Sequence, residues 1–213
     1  LKKFDNVSTQ IGSSMKSVGE VMAIGRSFEE TIHKAIRMAN DSSYGLYPLN
    51  STFLNKQESR EYIINKLKNP SVERIFYIMK AFMNNFTVEE IGKYTSIDLW
   101  FLTRLYNIYN TALEVEKLSI GNIDKDLFLK SKKYGFSDFQ LSKLLDSNES
   151  NVRSKRLSYN IRPFVKQIDT TSGEFPAETN YLYMTYNAHS NDVEFDKTGV
   201  IVLGCGAYRI GSS

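Results

Sequence analysis

The residues best suited to hold an anion stand at the end of the chain. Val200-Ile201-Val202-Leu203 reads as a buried parallel strand, and Gly204, Gly206 and Gly211 follow it with Arg209 among them. Glycines there let backbone amides approach an anion, and a guanidinium adds a charge-assisted contact. The spacing G-x-G-x-x-x-x-G departs from the dinucleotide G-x-G-x-x-G and lacks the lysine of a phosphate-binding loop. Taken alone it signals a tight turn between a strand and a helix. Cys205 sits within it, where small size explains the residue better than reactivity.

Other chemistry-bearing residues are scattered. His33 lies mid-helix among charged neighbours and His189 in a polar stretch near Asp192, so both are expected at the surface. No His-x-x-x-His, His-Glu or Cys-His spacing points to a metal. Neither histidine pairs with Cys205 or a motif serine, so nucleophilic catalysis finds no support. Asp169 and Glu174 are expected to anchor a loop by hydrogen bonds, not to act as a catalytic carboxylate pair. Arg153, Lys155 and Arg156 follow a helix–turn–helix pattern and raise a nucleic-acid reading. Against it, Asp138, Asp146 and Glu149 offset those charges locally, which favours a solvated basic face.

The elements that would position these residues are mostly helical. Val18, Val21, Ala23 and Ile24 suit a short buried strand or turn. Ser27 with Glu30 three residues later forms a capping box, and Ile32, Ala35, Ile36 and Ala39 make the stripe of the helix that follows. Residues 41–55, rich in Asn, Ser and Tyr, read as a linker. Helices are then expected over 57–67, over a segment capped by Ser71 after Asn69-Pro70, and over 97–118, 124–134, 137–145 and 149–159. An internal repeat runs at an offset of fifty: residues 86–94 align with 136–144. In each copy Phe86 or Phe136 precedes a hydroxyl cap, Glu90 or Gln140 closes the box, and Ile91 or Leu141 stands where a hydrophobic staple would close. Each copy reads as a helix–turn–helix hairpin. After Pro163 the helical period ends; 169–179 is loop-like, and 181–186 is aromatic and β-branched enough for a strand.

The helix over 97–118 stands apart. Ile97, Phe101, Leu105, Ile108, Ala112 and Val115 trace one stripe, and Leu99, Leu102, Tyr106, Tyr109 and Leu113 a second. A helix apolar around much of its girth is buried on more than one side. One reading places it at the centre of this domain's core. The other turns a face to a partner, with Trp100, Tyr106 and Tyr109 as large anchors.

Composition bounds these readings. Hydrophobic content of 41% and aromatic content of 13% suit a packed core, not a disordered tail. A net charge of +3, with acids and bases interspersed, lacks the electrostatic footprint of a nucleic-acid binder. The single cysteine excludes an internal disulfide or a cysteine-based metal cluster and fits a reducing compartment. No apolar run reaches the ~20 residues that span a bilayer, and no leader is expected. A cytoplasmic protein is the expectation.

The MKSVGEVMAIGR run at 15–26 and the VLGCGAYRIGSS run at 202–213 add something more specific. Together with Ile97-Asp98-Leu99-Trp100-Phe101-Leu102, Gly135-Phe136-Ser137-Asp138, Lys166-Gln167-Ile168-Asp169-Thr170, Glu174-Phe175-Pro176-Ala177 and Tyr181-Leu182-Tyr183, they resemble the large subunit of carbamoyl phosphate synthetase, in order and over nearly the whole chain. That family joins two ATP-grasp synthetase units by a helical oligomerisation domain. The resemblance implies a mainly α fold, a helical bundle of two helix–turn–helix hairpins plus flanking helices, with short strand or extended remnants at both ends. It divides the chain into 1–40, the close of the first unit; 41–55, a linker; 56–162, the helical oligomerisation domain; 163–198, an extended connecting arm; and 199–213, the opening of the second unit. It implies that the chain is a piece of a larger ligase and is catalytically inactive alone, with no metal site or cofactor of its own. The parent would make carbamoyl phosphate from bicarbonate, glutamine-derived ammonia and two ATP with Mg²⁺ or Mn²⁺, for pyrimidine or arginine synthesis. Gly204, Gly206, Arg209 and Gly211 would then lie near the second unit's nucleotide site. The implied partners are a second copy of the chain, the two flanking synthetase units and a glutaminase, with no nucleic acid and no membrane.

Overall fold

A computed structural model describes residues 8, 10–15, 17, 20–39, 44–48, 58–194 and 199–200. Eight helices and two short strands stand among them, so the fold is mainly α: α1 Phe28–Ala39, α2 Arg60–Lys68, α3 Arg74–Met83, α4 Val88–Thr95, α5 Leu99–Glu116, α6 Lys125–Lys133, α7 Asp138–Leu144, α8 Glu149–Ser158, then β1 Phe164–Gln167 and β2 Leu182–Thr185. The glycine turn with Gly204, Gly206, Arg209 and Gly211 lies outside the described residues.

Most helices begin where the sequence places a cap. Ser59, Asp98, Asp124 and Asn148 each accept a backbone N–H of the first turn. Thr87 with Glu90 and Ser137 with Gln140 form complete capping boxes. At α1 the box is displaced: Ser27 accepts from Glu30 N, but the Glu30 carboxylate reaches back to Arg26 N. Ser71 does not cap α3; the helix starts at Arg74 after Glu73, whose side chain makes no cap bond. Val21, Ala23 and Ile24 are half-buried but form no strand.

The fifty-residue repeat extends further than the sequence shows. Asn85 and Gly135 both take positive φ before the stapling phenylalanines, as do Ser96 and Asp146 after α4 and α7. Phe86 N bonds to Ala81 O and Phe136 N to Ser131 O, closing α3 and α6 in the same way. The second helices then open on Asp98 and Asn148, again fifty apart. Phe86, Ile91, Phe136 and Leu141 are all buried in one hydrophobic core.

That core is organised by α5, which packs against α1, α3, α4, α6 and α7. Leu105, Ile108, Ala112 and Val115 of its first stripe and Leu102 of its second are buried. The described part of the segment read as a linker also joins the core: Leu46 and Tyr47 are buried, and the Tyr47 carbonyl accepts from Gln140 Nε2. The strand expected over 181–186 is present as β2. It pairs antiparallel with β1, whose Phe164 and Gln167 face Thr185 and Leu182. Nothing in the local pattern of Phe-Val-Lys-Gln announces β1; it is defined by a partner that returns after a loop. Within that loop Asp169 accepts from Thr171 N and Oγ1, a local turn of the kind expected of it.

Candidate functional site

The three candidate anchors do not share a face. Trp100 and Tyr109 are nine residues apart, which at about 100° per residue sets them on opposite sides of α5. Tyr109 is turned inward, stacked on Phe82 at 5.8 Å and edge-on to Tyr47 at 5.5 Å. Tyr106 is 41% exposed and leans on Phe82. At the start of the helix Leu99, Trp100 and Phe101 are exposed by 46%, 50% and 44%. Trp100 and Phe101 meet Phe28 of α1 edge-on, and the Arg104 guanidinium lies over the indole at 4.9 Å. Asp98 fixes this turn by capping Trp100 N at 2.7 Å.

Beside these rings runs an apolar trough of about 350 Å³, lined by Ile11, Phe28, Val72, Ile75, Ile97 and Phe101 among others. Ile11 and Val72 are themselves 52% and 40% exposed. Scattered apolar residues at a surface are ordinary; a contiguous aromatic and aliphatic patch marks a place of contact. Ile11 is held in its lining by a bridge between the neighbouring Gln10 and Ser71 and a bond from Ile11 N to Pro70 O.

The second notable region is a polar seam between α1, the α6–α7 turn and β2. Glu30 is buried, and its carboxylate accepts from Lys34, Thr185 and Asn187 as well as from Arg26 N. Burial pushes its carboxyl upward, but these donors outweigh it and hold it below the usual range. Asn187 also donates to Lys133 O, and Lys34 to Met184 O. Lys132 and Arg156 both pair with Asp138, at 2.7 and 3.0 Å. Burial pulls the Lys132 ammonium down to about 8 against the pull of Asp138, so the pair is ionised at neutral pH.

His33 is not a surface residue, as its charged neighbours suggested. It is fully buried, its Nδ1 donating to Tyr134 O at 2.8 Å while Nε2 has no partner. Burial, with the charge of Arg37, pulls its pKa down to about 3, so the ring is neutral. His189 is exposed as expected. The signal missed was spacing: His33 and Arg37, three and seven residues after Glu30, share its face of α1.

The basic helix–turn–helix reading loses its central residue. Arg156 is buried, bonding Asp138 and the Ile161 carbonyl, while Lys155 lies over Tyr159. Only Arg153 of the three remains openly exposed. Among the described residues no group of three or more His, Cys, Asp or Glu is placed to hold a metal ion, and no helix is long and apolar enough to cross a membrane.

Comparison with known proteins decides the family. The model of the carbamoyl-phosphate synthetase large chain, oligomerisation domain, matches residues 20–160. The chain belongs to that family. Across its whole length this carbamoyl-phosphate synthetase domain is 49% identical to Multifunctional protein pyr-3 of Neurospora crassa. It is 47% identical to Carbamoyl-phosphate synthase [ammonia], mitochondrial, of Mus musculus. It is 44% identical to Carbamoyl phosphate synthase arginine-specific large chain, mitochondrial, of Schizosaccharomyces pombe. The chain spans 11%, 14% and 18% of those relatives' lengths, respectively. The matched family region holds all eight helices and ends before β1.

Proposed function

We propose that this chain is the self-associating and connecting domain of a carbamoyl-phosphate synthase, and that it associates through the aromatic start of α5. One observation carries the choice of surface: Leu99, Trp100 and Phe101 are three consecutive large apolar residues, each more than two-fifths exposed, in a domain whose family is defined by oligomerisation. Trp100 is the central anchor, Phe101 and the adjoining trough surround it, and Arg104 supplies a polar edge. Tyr106 belongs to a second exposed sector of the helix. Tyr109 stabilises the fold, since its ring is already packed against Phe82 and Tyr47.

In the parent enzyme the domain holds two synthetase units at a fixed separation. That enzyme makes carbamoyl phosphate from bicarbonate, ammonia drawn from glutamine by a glutaminase, and two ATP with Mg²⁺ or Mn²⁺, for pyrimidine or arginine synthesis. Nucleotide and metal are held by the synthetase units, with Gly204, Gly206, Arg209 and Gly211 contributing to the second of them. The domain alone is inactive. We place the enzyme in the cytoplasm, a reading supported by the single cysteine.

The test is association of the wild-type chain against Trp100→Ala and Tyr109→Ala. Trp100→Ala is expected to weaken self-association at least tenfold, about 1.4 kcal/mol, with its circular dichroism unchanged. Tyr109→Ala lowers stability and leaves the association constant within about twofold once folded. Equal association of Trp100→Ala and wild type would remove the start of α5 as the contact surface.

A further inference from the structure

The polar seam encloses a cavity of about 210 Å³, lined by Lys34, Arg37, Lys132, Ser137, Met184 and Tyr186 among others. That volume is below the ~300 Å³ at which pockets begin to take drug-sized ligands. Its chemistry is cationic. Four cations gather here, Lys34, Arg37, Lys132 and Arg156, against two carboxylates, Glu30 and Asp138. Both carboxylates are fully committed. Glu30 accepts from Lys34, Thr185, Asn187 and Arg26 N, and Asp138 is bracketed by Lys132 and Arg156.

Arg37 is left over. Its Nη1 donates to the Gly135 carbonyl at 2.9 Å and to Gln140 Oε1 at 3.1 Å, and no acid among the described residues accepts from it. Both partners are neutral, so the guanidinium is half-buried without a counter-charge, an arrangement that costs free energy unless an anion completes it. Its two anchors hold the planar fork in a fixed orientation at the cavity wall, which suits paired hydrogen bonds to an oxyanion. Arg37 and Lys132 are also close enough to repel, and the charge of Arg37 lowers the Lys132 pKa along with burial. Ser137 lines the same wall; its Oγ accepts from Gln140 N, leaving its proton to donate.

The geometry points to a binding site for a small phosphate-type oxyanion, free or as the end group of a small metabolite, held by Arg37 with Lys132 and Ser137; Lys34, whose three N–H groups go to Ile24 O, Glu30 and Met184 O, adds only its charge. The site is independent of the association surface, and an anion in it ties α1 to the α6–α7 turn. Binding therefore raises the stability of the helical domain by mass action.

Inorganic phosphate titrated calorimetrically into the whole chain, with chloride holding ionic strength constant, tests this. Saturable one-to-one binding with a dissociation constant of about 1 mM or tighter is expected. Arg37→Gln should weaken it at least about tenfold. Lys117→Gln, at an exposed lysine remote from the cavity, should change it less than about twofold. If Arg37→Gln does not fold by circular dichroism, Arg37→Lys takes its place, keeping the charge and losing the fork. The wild-type melting temperature in phosphate against chloride is an independent readout, expected to rise. Competition with a phosphomonoester separates the two ligand sources: displacement of phosphate extends the site to esters, and its failure restricts the site to the free ion. No saturable binding and no melting shift, or equal weakening by the Arg37 and Lys117 variants, overturns the proposal.

Discussion

His33 sits neutral inside the domain with one ring nitrogen bare, and this couples stability to acid. Its folded pKa, about 3, lies below the ordinary value of 6.5. In that interval the unfolded chain binds a proton that the folded chain refuses. The contribution is therefore whole above pH 6.5 and is lost progressively as pH falls toward 3. Urea unfolding between pH 6.5 and 5 should show stability falling with a slope approaching about 1.4 kcal/mol per pH unit. His33→Leu should flatten that slope, and an unchanged slope would mean the ring is not buried neutral. Glu30 and Asp138, both held below their usual range, add their own losses only at lower pH. Gly135 makes a second residue-level case. Its φ is +87°, and an added Cβ would stand 3.0 Å from Glu30 Cα, so α1 can approach the α6–α7 turn only over a glycine. Gly135→Ala should cost about 1–3 kcal/mol in urea unfolding; a loss under about 0.5 kcal/mol would show that the turn relaxes freely. Neither effect was legible in the sequence. His33 reads as a surface residue among charges, and the closeness of Gly135 to α1 is a tertiary fact across a hundred residues.

Elements were legible where their signals are local. The capping boxes at Thr87 and Ser137, the aromatic residues before them and the stops near Asn69-Pro70 act within a few residues, so seven of the eight helices were outlined to within a turn. The eighth, α3, was foreseen but not its cap: Ser71 stands two residues before the cap position, Glu73. The boxes should each be worth about 1 kcal/mol. Thr87→Ala and Ser137→Ala, measured singly and together by urea unfolding, are expected to lose that amount each and to add, because the two caps share no partner. A combined loss well above the sum would mean the hairpins stabilise one another through their caps. β1 was not legible because a four-residue strand exists only through the strand that pairs with it. The packing of Leu46 and Tyr47 was hidden for a similar reason: polar neighbours mark a linker, while burial depends on Gln140 reaching across from α7.

At the scale of the molecule the domain is two copies of one hairpin pattern arranged about α5. The repeat fixes the turns and caps, and the copies diverge after them: α5 runs for 18 residues and α8 for 10. The extra length of α5 makes it the hub of the core, and its first turn carries aromatic side chains beyond that core to the surface. Sequence identified α5 as apolar on two sides but did not say which side meets a neighbour within the chain. Trp100 and Tyr109 read alike, and only the fold separates them. The central claim is that this surface joins one copy of the chain to another. Light scattering after size exclusion, across about two decades of concentration, tests it most directly. The account predicts a weight-average mass that climbs from 24.4 kDa toward at least twice that value as concentration rises. A mass fixed at 24.4 kDa throughout would contradict it.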